Sequence, residues 1–167
     1  MYISSDTNVW IDFSEIGQLS IPFKLGYQYF ISRYTFIDEF IKPETMKDDL
    51  LQYGLQLADI SEEEYADAVL FQSKYCRLSL YDSFALSIAK NRGWILLSGD
   101  KPLRDAALAE GVECHGTIWV CDRLKTESIV TENEYVAIID SFIKAVDSGK
   151  CRLPMNELQK RKEQTDK

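Results

Sequence analysis

The length, composition and charge of the chain limit the kinds of protein it can be. It has 167 residues, of which 46% are hydrophobic and 28% are charged, and this suits one ordinary soluble globular domain. A net charge of −8 argues against a generic nucleic-acid coat protein, but it allows a nucleic-acid enzyme whose acidic site is neutralised by metal ions. The start MYISSDTNVWIDF does not resemble a signal peptide, and no apolar run approaches the roughly 18 residues of a membrane span. We therefore expect a cytoplasmic protein with no membrane partner.

The C-terminal segment differs in charge from the rest of the chain. Six basic and three acidic residues lie from Lys150 to the end, so the tail is mildly basic and the body is strongly acidic. We predict a single domain over residues 1–150, with 151–167 as a basic tail or short helix that is part of this domain or peripheral to it. The tail is either a solvated end or a contact for RNA or a protein partner.

The first half of the chain predicts three strands separated by helices. Tyr2–Ser4 is a short apolar strand, and TNVWIDF after it reads as a helical turn or short helix. Tyr27–Tyr34 is rich in aromatic and β-branched residues, as strands are, and TFIDEFI leads away from it and stops before Pro43. Gly54–Ile60 alternates apolar and polar residues, and Ser61 then caps a helix that has three glutamates in its first turn.

The second half continues the alternation of helices and strands. A buried helical stripe ends at Gly93, the apolar run Trp94–Ser98 is a strand buried on both faces, and Asp100 begins a helix that ends at Gly111. VEC is a last short strand, TIWVCDRL and NEYVAIIDSFIKAV are helices, and Pro154 opens a final short one. This order predicts an α/β fold with a parallel sheet of four or five strands and helices on both faces.

Acidic residues follow several of the predicted strands. The candidates are Asp6, Asp38, Glu39, Asp82 and Asp100. Helix capping explains three of them singly, since Asp6 can cap the turn at TNVW, Asp82 is the fourth residue of the capping box SLYD and Asp100 is a good N-cap. Capping does not explain why several helix starts at one edge of a sheet all carry acids, because converging carboxylates repel one another. A positive charge should lie among them, and carboxylates without histidine or cysteine favour Mg²⁺ or Mn²⁺ over Zn²⁺.

The remaining chemistry-bearing residues narrow the reaction class. His115 is the one histidine and cannot supply a histidine pair, and GxSxG, Walker A and dinucleotide-binding motifs are absent from the sequence. We interpret His115 as structural. The four cysteines match no common zinc-finger spacing and are predicted to be reduced thiols. Metal-assisted hydrolysis is the chemistry that remains.

Several motifs resemble those of the PIN-domain nucleases. SSDTNVWIDF is similar to the opening strand-to-helix turn of that family, FIDEF to its second acidic position, and LSLYDSFALSIAKNRGWILLSGDKPLRDAALAEGVE to its most recognisable block. HGTIWVCDRL and the late RLP resemble the C-terminal part of one bacterial and archaeal branch. The resemblance implies a three-layer α/β/α sandwich. It also implies an RNA-cleaving site that depends on Mg²⁺ or Mn²⁺, often in the toxin of a toxin–antitoxin pair.

The resemblance carries over to individual positions of this chain. Asp6, Glu39, Asp82 and Asp100 match the four acidic positions, as catalytic residues and metal ligands. Asp38 takes the second position if the strand before it is one residue out of register. Asn8 and Ser98 match polar neighbours that orient the carboxylates. We also expect Lys101 and Arg104, just past the acidic edge, to hold the RNA backbone, or else to be solvated charges at a helix start. Asp105 is either an additional acid of the site or a surface position of the helix, and we favour the surface position.

Three functions are therefore weighed. The leading prediction is a metal-dependent endoribonuclease that leaves a 5′-phosphate and a 3′-hydroxyl, with RNA as substrate, a small antitoxin as partner and a homodimer as a common assembly. The second is a non-catalytic PIN-like scaffold that serves a protein partner. The third is a phosphatase-like α/β domain, which matches poorly because Asn8 occupies the place of the second aspartate of such enzymes.

Overall fold

A five-stranded parallel sheet forms the centre of the protein. The computed structural model describes residues 1–39 and 45–165. The strands are β1 (Tyr2–Ser5), β2 (Gln28–Ser32), β3 (Gln56–Ala58), β4 (Ile95–Leu97) and β5 (Cys114–His115). Their order across the sheet is β3-β2-β1-β4-β5, and every neighbouring pair is parallel. Strand order therefore reverses between β1 and β4, where Ile3 lies opposite Ile95 and Ser5 opposite Leu97. In open parallel sheets this reversal creates a crevice beyond the carboxyl ends of the strands.

Helices connect the strands in the part of the chain that the structure describes. Their bounds are α1 (Asn8–Glu15), a 3-10 helix (Ile21–Leu25), α2 (Arg33–Glu39), α3 (Thr45–Tyr53), α4 (Glu62–Lys74), α5 (Leu80–Arg92), α6 (Lys101–Ala109), α7 (Thr117–Thr126), α8 (Glu132–Asp147) and α9 (Met155–Thr165). None of these helices is long and apolar enough to cross a lipid bilayer.

The two faces of the sheet bury separate hydrophobic clusters. Adjacent residues of a strand point to opposite faces, and Leu96 and Leu97 on β4 accordingly belong to different clusters. Leu97 packs with Ile3 and with buried residues of α1, α3, α7 and α8. Leu96 packs with α5 and α6 residues such as Leu86 and Leu103. The predicted three-layer α/β/α sandwich with a parallel sheet is thus confirmed, and the sheet has five strands.

Local signals in the sequence set the ends of several helices. Ser61 and Ser79 each accept a hydrogen bond from the backbone N–H three residues later, and the acidic side chain there bonds back, which completes a capping box at α4 and at α5. Asp100 caps α6 through the N–H of Leu103. Gly93 follows α5 with a φ of 66°, in the left-handed region that glycine adopts without strain.

Some elements differ from the sequence-based expectation. α3 and the 3-10 helix were not predicted, and the last strand lies at Cys114–His115, overlapping the predicted VEC only at Cys114. The end of TFIDEFI and Pro43 lie outside the described residues. The tail contains a regular helix, α9, whose Leu158 is fully buried. The division at residue 150 stays a prediction.

Candidate active site

Asp6 lies at the carboxyl end of β1 and is almost completely buried. Its backbone N–H donates to Leu97 O at 3.1 Å, which extends the β1–β4 ladder by one residue past Ser5. Its side chain is therefore fixed at the point where strand order reverses. One carboxylate oxygen accepts the backbone N–H of Asn8 at 3.0 Å, and the other accepts the hydroxyl of Ser98. Only 4% of the residue is exposed to solvent.

Ser98 connects Asp6 to the second acid at this edge. It follows β4, is fully buried, and donates its hydroxyl hydrogen to Asp6 while its Oγ accepts the backbone N–H of Asp100 at 3.0 Å. Asp100 is half-buried, and its Oδ2 accepts the N–H of Leu103 at 3.0 Å as the cap of α6. A single hydroxyl thus holds the Asp6 carboxylate and the backbone of Asp100 together. The predicted role of Ser98 in orienting the carboxylates stays a prediction, supported by this geometry.

Two acids at the end of α2 approach the same edge. Glu39 Oε2 accepts the hydroxyl of Thr7 at 3.0 Å, and Thr7 is the residue after Asp6. Asp38 Oδ2 accepts the hydroxyl of Tyr81 at 2.8 Å, and Tyr81 precedes Asp82. Both acids therefore lie near the site, and Glu39 is the one bonded to a neighbour of Asp6.

Asp82 reaches the site as the third residue of α5. Its Oδ2 accepts the backbone N–H and the hydroxyl of Ser79, both at 2.8 Å, in the capping box. The fourth predicted acid, Asp100, is itself the cap of α6, and in both residues the hydrogen bonds of the side chain engage only Oδ2. Within residues 1–39 and 45–165, Oδ1 of both side chains makes no hydrogen bond. Capping therefore leaves one oxygen of each carboxylate available.

The electrostatic properties show that these acids act on one another. The pKa of Asp6 is raised from 3.8 to about 7, chiefly by burial and in part by the negative charge of Asp82, although the hydrogen bond from Ser98 acts in the opposite direction. Burial also raises the pKa of Glu39, with additional contributions from Asp82 and Asp38. None of Asp6, Glu39, Asp82 and Asp100 forms an ion pair with a described residue. The edge therefore concentrates negative charge without a compensating cation from the described side chains.

The donor set suits a hard divalent cation in kind. Carboxylate and hydroxyl oxygens are the ligands that Mg²⁺ and Mn²⁺ prefer, and no cysteine or histidine stands among the four acids. Among the described residues, no group of three or more acidic, cysteine or histidine side chains is already arranged around one ion position. Mg²⁺ usually keeps several waters and uses one or two protein carboxylates, so such an arrangement is not required for binding.

The other predicted residues occupy different surroundings. Asn8 contacts Asp6 through its backbone N–H, and its exposed side chain lines a cavity beside Asp100. Lys101 pairs at 2.7 Å with Asp105, and both side chains are mostly exposed, consistent with a surface position for Asp105. Arg104 is exposed on α6.

His115 packs against an aromatic ring, and two hydrogen bonds near the site were not predicted from the sequence. His115 stacks in parallel on Trp119, with ring centroids 4.3 Å apart, and its Nε2 lies 2.8 Å from a Glu113 oxygen. Thr7 was missed as a partner of Glu39, although it lies inside the DTN motif. The hydroxyl of Thr117 donates to Asp12 at 2.7 Å. These residues are 105 positions apart, so a local sequence pattern cannot predict this hydrogen bond.

Comparison with known proteins identifies the family. A family model described as a PIN domain matches residues 2–166, which is nearly the whole chain. The protein belongs to the PIN-domain family, whose members are generally nucleases.

A solved structure supports the same fold. A PilT N-terminus domain protein from the hyperthermophilic archaeon Sulfolobus solfataricus P2 is similar to this chain with a TM-score of 0.51 and 17% sequence identity. The alignment covers 72% of this chain and 90% of that protein. At this identity the similarity concerns the fold alone. Comparison with curated proteins gives no match.

Proposed function

We propose that this protein is an endoribonuclease that depends on Mg²⁺ or Mn²⁺, with Asp6, Glu39, Asp82 and Asp100 as its metal-binding and catalytic residues. The observation that carries the proposal is the burial of the Asp6 carboxylate without an ion pair among the described residues. A nearly buried carboxylate with its pKa raised to about 7, near other acids and without an ion pair among the described residues, is costly to the fold. A divalent cation removes that cost, and membership of the PIN-domain family supports nuclease chemistry.

The described side chains have distinct roles in this proposal. Asp6 is held by the Asn8 N–H and the Ser98 hydroxyl, so its carboxylate cannot rotate freely. Glu39, Asp82 and Asp100 are half-buried or exposed and can face a substrate. A bound cation would lower the pKa of a water molecule and stabilise the negative charge that develops on the scissile phosphate. Hydrolysis in this manner gives a 5′-phosphate and a 3′-hydroxyl.

The proposed substrate is RNA, and the proposed partners are a small antitoxin and a second copy of the chain. RNA as substrate and a toxin role with a small antitoxin rest on the resemblance of the segment from Leu78 to Glu113 to the PIN-domain nucleases, which are often the toxins of toxin–antitoxin pairs. A small neighbouring gene that encodes a DNA-binding start and an amphipathic tail would support the toxin role. A homodimer, like the antitoxin complex, is proposed on that resemblance alone.

The test is cleavage of end-labelled single-stranded RNA by the purified protein. With Mn²⁺ or Mg²⁺ the wild-type protein should cleave, and with EDTA it should not. Asp6→Asn and Asp100→Asn should each lower the cleavage rate by at least about a hundredfold, because each removes a charge from the cation site. The Glu39→Gln and Asp38→Asn variants decide which of these acids belongs to the site, since only the true ligand should cause a comparable loss.

Asp105→Asn is the matched control. It makes the same change in charge, five residues after Asp100, at an exposed position of α6. Its cleavage rate should stay within about twofold of the wild type. Undiminished cleavage by correctly folded Asp6→Asn would contradict the assignment of the cation site. Absence of Mn²⁺ binding in calorimetry at millimolar metal would favour the non-catalytic scaffold.

A further inference from the structure

A cleft with two lobes passes Asp100 at the carboxyl ends of β4 and β5. The larger lobe has a volume of about 570 Å³ and is lined by the starts of α6 and α7 and by residues 152–154, just before α9. The smaller lobe, about 300 Å³, adjoins α1. Gly99, Asp100, Arg152 and Leu153 line both lobes, so the lobes meet beside the proposed catalytic edge. Volumes of this size are those of ordinary ligand sites.

Two cationic side chains in this cleft lack an acidic partner among residues 1–39 and 45–165. Lys101 is paired with Asp105, and the Arg161 guanidinium is held by Asp122 and Glu157 at 2.7 Å each, so these charges are largely balanced. Arg104 and Arg152 are exposed and line the larger lobe, and their guanidinium groups form no ion pair or hydrogen bond with any described residue. In a protein of net charge −8, two such guanidiniums beside a cluster of acids favour an anionic ligand.

The lining of the larger lobe also includes an aromatic side chain, Trp119, that is packed against other rings. Trp119 is half-buried, stacks on His115 at 4.3 Å with an interplanar angle of 4°, and lies 6.1 Å from the ring of Tyr27. Pro102 and Pro154 are further apolar members of the lining. A fixed indole is a good surface for a nucleobase, because stacking on aromatic rings tolerates any base.

We propose that this cleft binds single-stranded RNA, with Arg104 and Arg152 contacting backbone phosphates beside Asp100 and with one unpaired base packed against Trp119. This inference rests on the proposed function, since it gives the ribonuclease its substrate path. A single strand fits because its bases are free to enter a lobe, whereas the bases of a duplex are already paired. The two arginines also offset the repulsion between Asp100 and an incoming phosphate. Through Arg152, the segment just before α9 forms part of the proposed substrate site and positions the RNA.

Binding is measured apart from cleavage, by fluorescence anisotropy of a short labelled single-stranded RNA with the full-length protein in EDTA. Arg104→Gln and Arg152→Gln should each weaken binding about tenfold, since each removes a charged phosphate contact. The slope of the logarithm of the binding constant against the logarithm of the salt concentration should also become shallower by about 0.7 for each variant. This is the change expected when one phosphate contact on a single strand is lost. Trp119→Phe should weaken binding by about fivefold or more while the slope stays unchanged, because stacking is uncharged.

Lys24→Gln is the matched control for the arginine variants. Lys24 is exposed in the 3-10 helix that precedes β2, hence at the amino ends of the strands and away from the cleft. It should bind RNA with the affinity and salt slope of the wild type. Thermal melting of all variants confirms that each is folded.

The outcomes separate this inference from the proposed function. If the wild type cleaves RNA but Arg104→Gln and Arg152→Gln bind it as Lys24→Gln does, the substrate path is overturned and the ribonuclease proposal stands. If binding requires both arginines but no cleavage occurs with Mn²⁺, the cleft is supported and the ribonuclease proposal fails. Equal affinity for a duplex overturns the single-strand assignment. No binding of RNA overturns the whole inference and favours an acidic peptide as occupant.

Discussion

Asp6 is a residue whose ionised form destabilises the metal-free fold. Its pKa is about 7 in the folded protein and 3.8 in an unperturbed state, so the folded protein binds the proton more tightly. The sign follows from proton linkage: the cost is absent below pH 3.8, grows as the pH rises toward 7 and is complete above it. Asparagine has a similar shape and carries no charge, so it avoids this cost at every pH.

We therefore predict that Asp6→Asn is more stable than the wild type in EDTA at pH 8, by about 1–3 kcal/mol. The difference should vanish near pH 4. Urea unfolding at several pH values measures it. Added Mn²⁺ should raise the melting temperature of the wild type but not that of Asp6→Asn. In EDTA, the free energy of unfolding of the wild type should fall between pH 5 and pH 8 relative to that of Asp6→Asn. If it does not fall, ionisation of the buried Asp6 carboxylate does not destabilise the fold.

Ser98 offers a second prediction at the scale of one residue. Ser98→Ala removes the hydroxyl that bonds both Asp6 and the backbone of Asp100. Loss of a residue that orients metal-binding side chains typically lowers metal affinity or activity by roughly 10–100-fold, and we expect an RNA cleavage rate lower by that factor. Ser98→Thr keeps the hydroxyl and should retain most activity. Equal rates for the alanine and threonine variants would show that the hydroxyl does not position the carboxylates.

The sequence allowed some of these residues to be predicted and not others. Asp82 and Asp100 belong to local patterns, a capping box and a strand followed by a cap, and local patterns are visible in a sequence. Asp6 follows from the position of the first strand. The bond between Thr7 and Glu39 spans 32 residues and depends on how α2 leaves β2, and the sequence pattern does not specify that angle. The position of Arg152 could not be predicted either, because it lies in the cleft only as a result of the path that the chain takes after α8.

Glu110 shows how one residue joins three helices. It follows α6, its side chain is 8% exposed, and it accepts hydrogen bonds from Lys74 at the end of α4, from Lys90 in α5 and from the hydroxyl of Tyr75. These bonds, led by that from Lys74, lower the pKa of Glu110 from 4.5 to about 2. The lowered pKa means that the ionised carboxylate stabilises this layer of helices, which carries Asp82 and Asp100.

We predict that Glu110→Gln lowers the free energy of unfolding at pH 7 by about 1–2 kcal/mol, less than the full shift implies because both lysines are exposed. The stabilising contribution of the carboxylate is complete above pH 4.5 and is lost as the pH falls toward 2, so the difference between variant and wild type should shrink over this window. Urea unfolding at pH 3 and pH 7 measures it. Glu113→Gln, whose side chain is 64% exposed, is the control and should change little. A Glu110→Gln difference that is independent of pH would contradict an ionic origin.

The types and order of the elements were more predictable than their ends. Strong periodicity located α5, and the apolar run before Ser98 located β4, since burial on both faces requires such a run. α3 was missed because its sequence, TMKDDLLQY, shows no clear apolar stripe: Met46 and Leu50 are buried in the core, whereas Leu51 and Tyr53 are exposed. β5 has only two residues, so its position is set by pairing with β4 and not by its own sequence.

At the scale of the molecule, the parallel sheet determines where the chemistry can lie. Asp6 and Asp100 are 94 positions apart in the chain, yet they follow the two strands that meet where the order reverses. The helices after these strands begin at the same edge, so the residues between each strand and its helix are brought together. Asp82 and Asp100 can therefore serve both in the capping of helix starts and as proposed ligands, and this explains why each of them also has a purely structural interpretation.

The C-terminal segment poses the remaining question about the whole molecule, namely whether residues after 150 are integral or peripheral. α9 packs against α8, Leu158 is fully buried in the cluster that also contains Ile3 and Leu97, and Arg161 binds Asp122 of α7. Since these contacts reach the central sheet, we propose that α9 is an integral part of the domain and holds residues 152–154 against the cleft.

This proposal gives a prediction for the unfolding of the full chain. Leu158→Ala should lower the free energy of unfolding by about 2–4 kcal/mol, as expected for a large-to-small change in a core, and the chain should still unfold in one transition. Gln159→Ala, at the exposed neighbouring position, is the control and should stay within about 0.5 kcal/mol of the wild type. The measurement is urea unfolding followed by circular dichroism and by tryptophan fluorescence, because Trp10 is buried in the same cluster as Leu158. If α9 were a peripheral tail, Leu158→Ala would match Gln159→Ala and the tryptophan transition would not move.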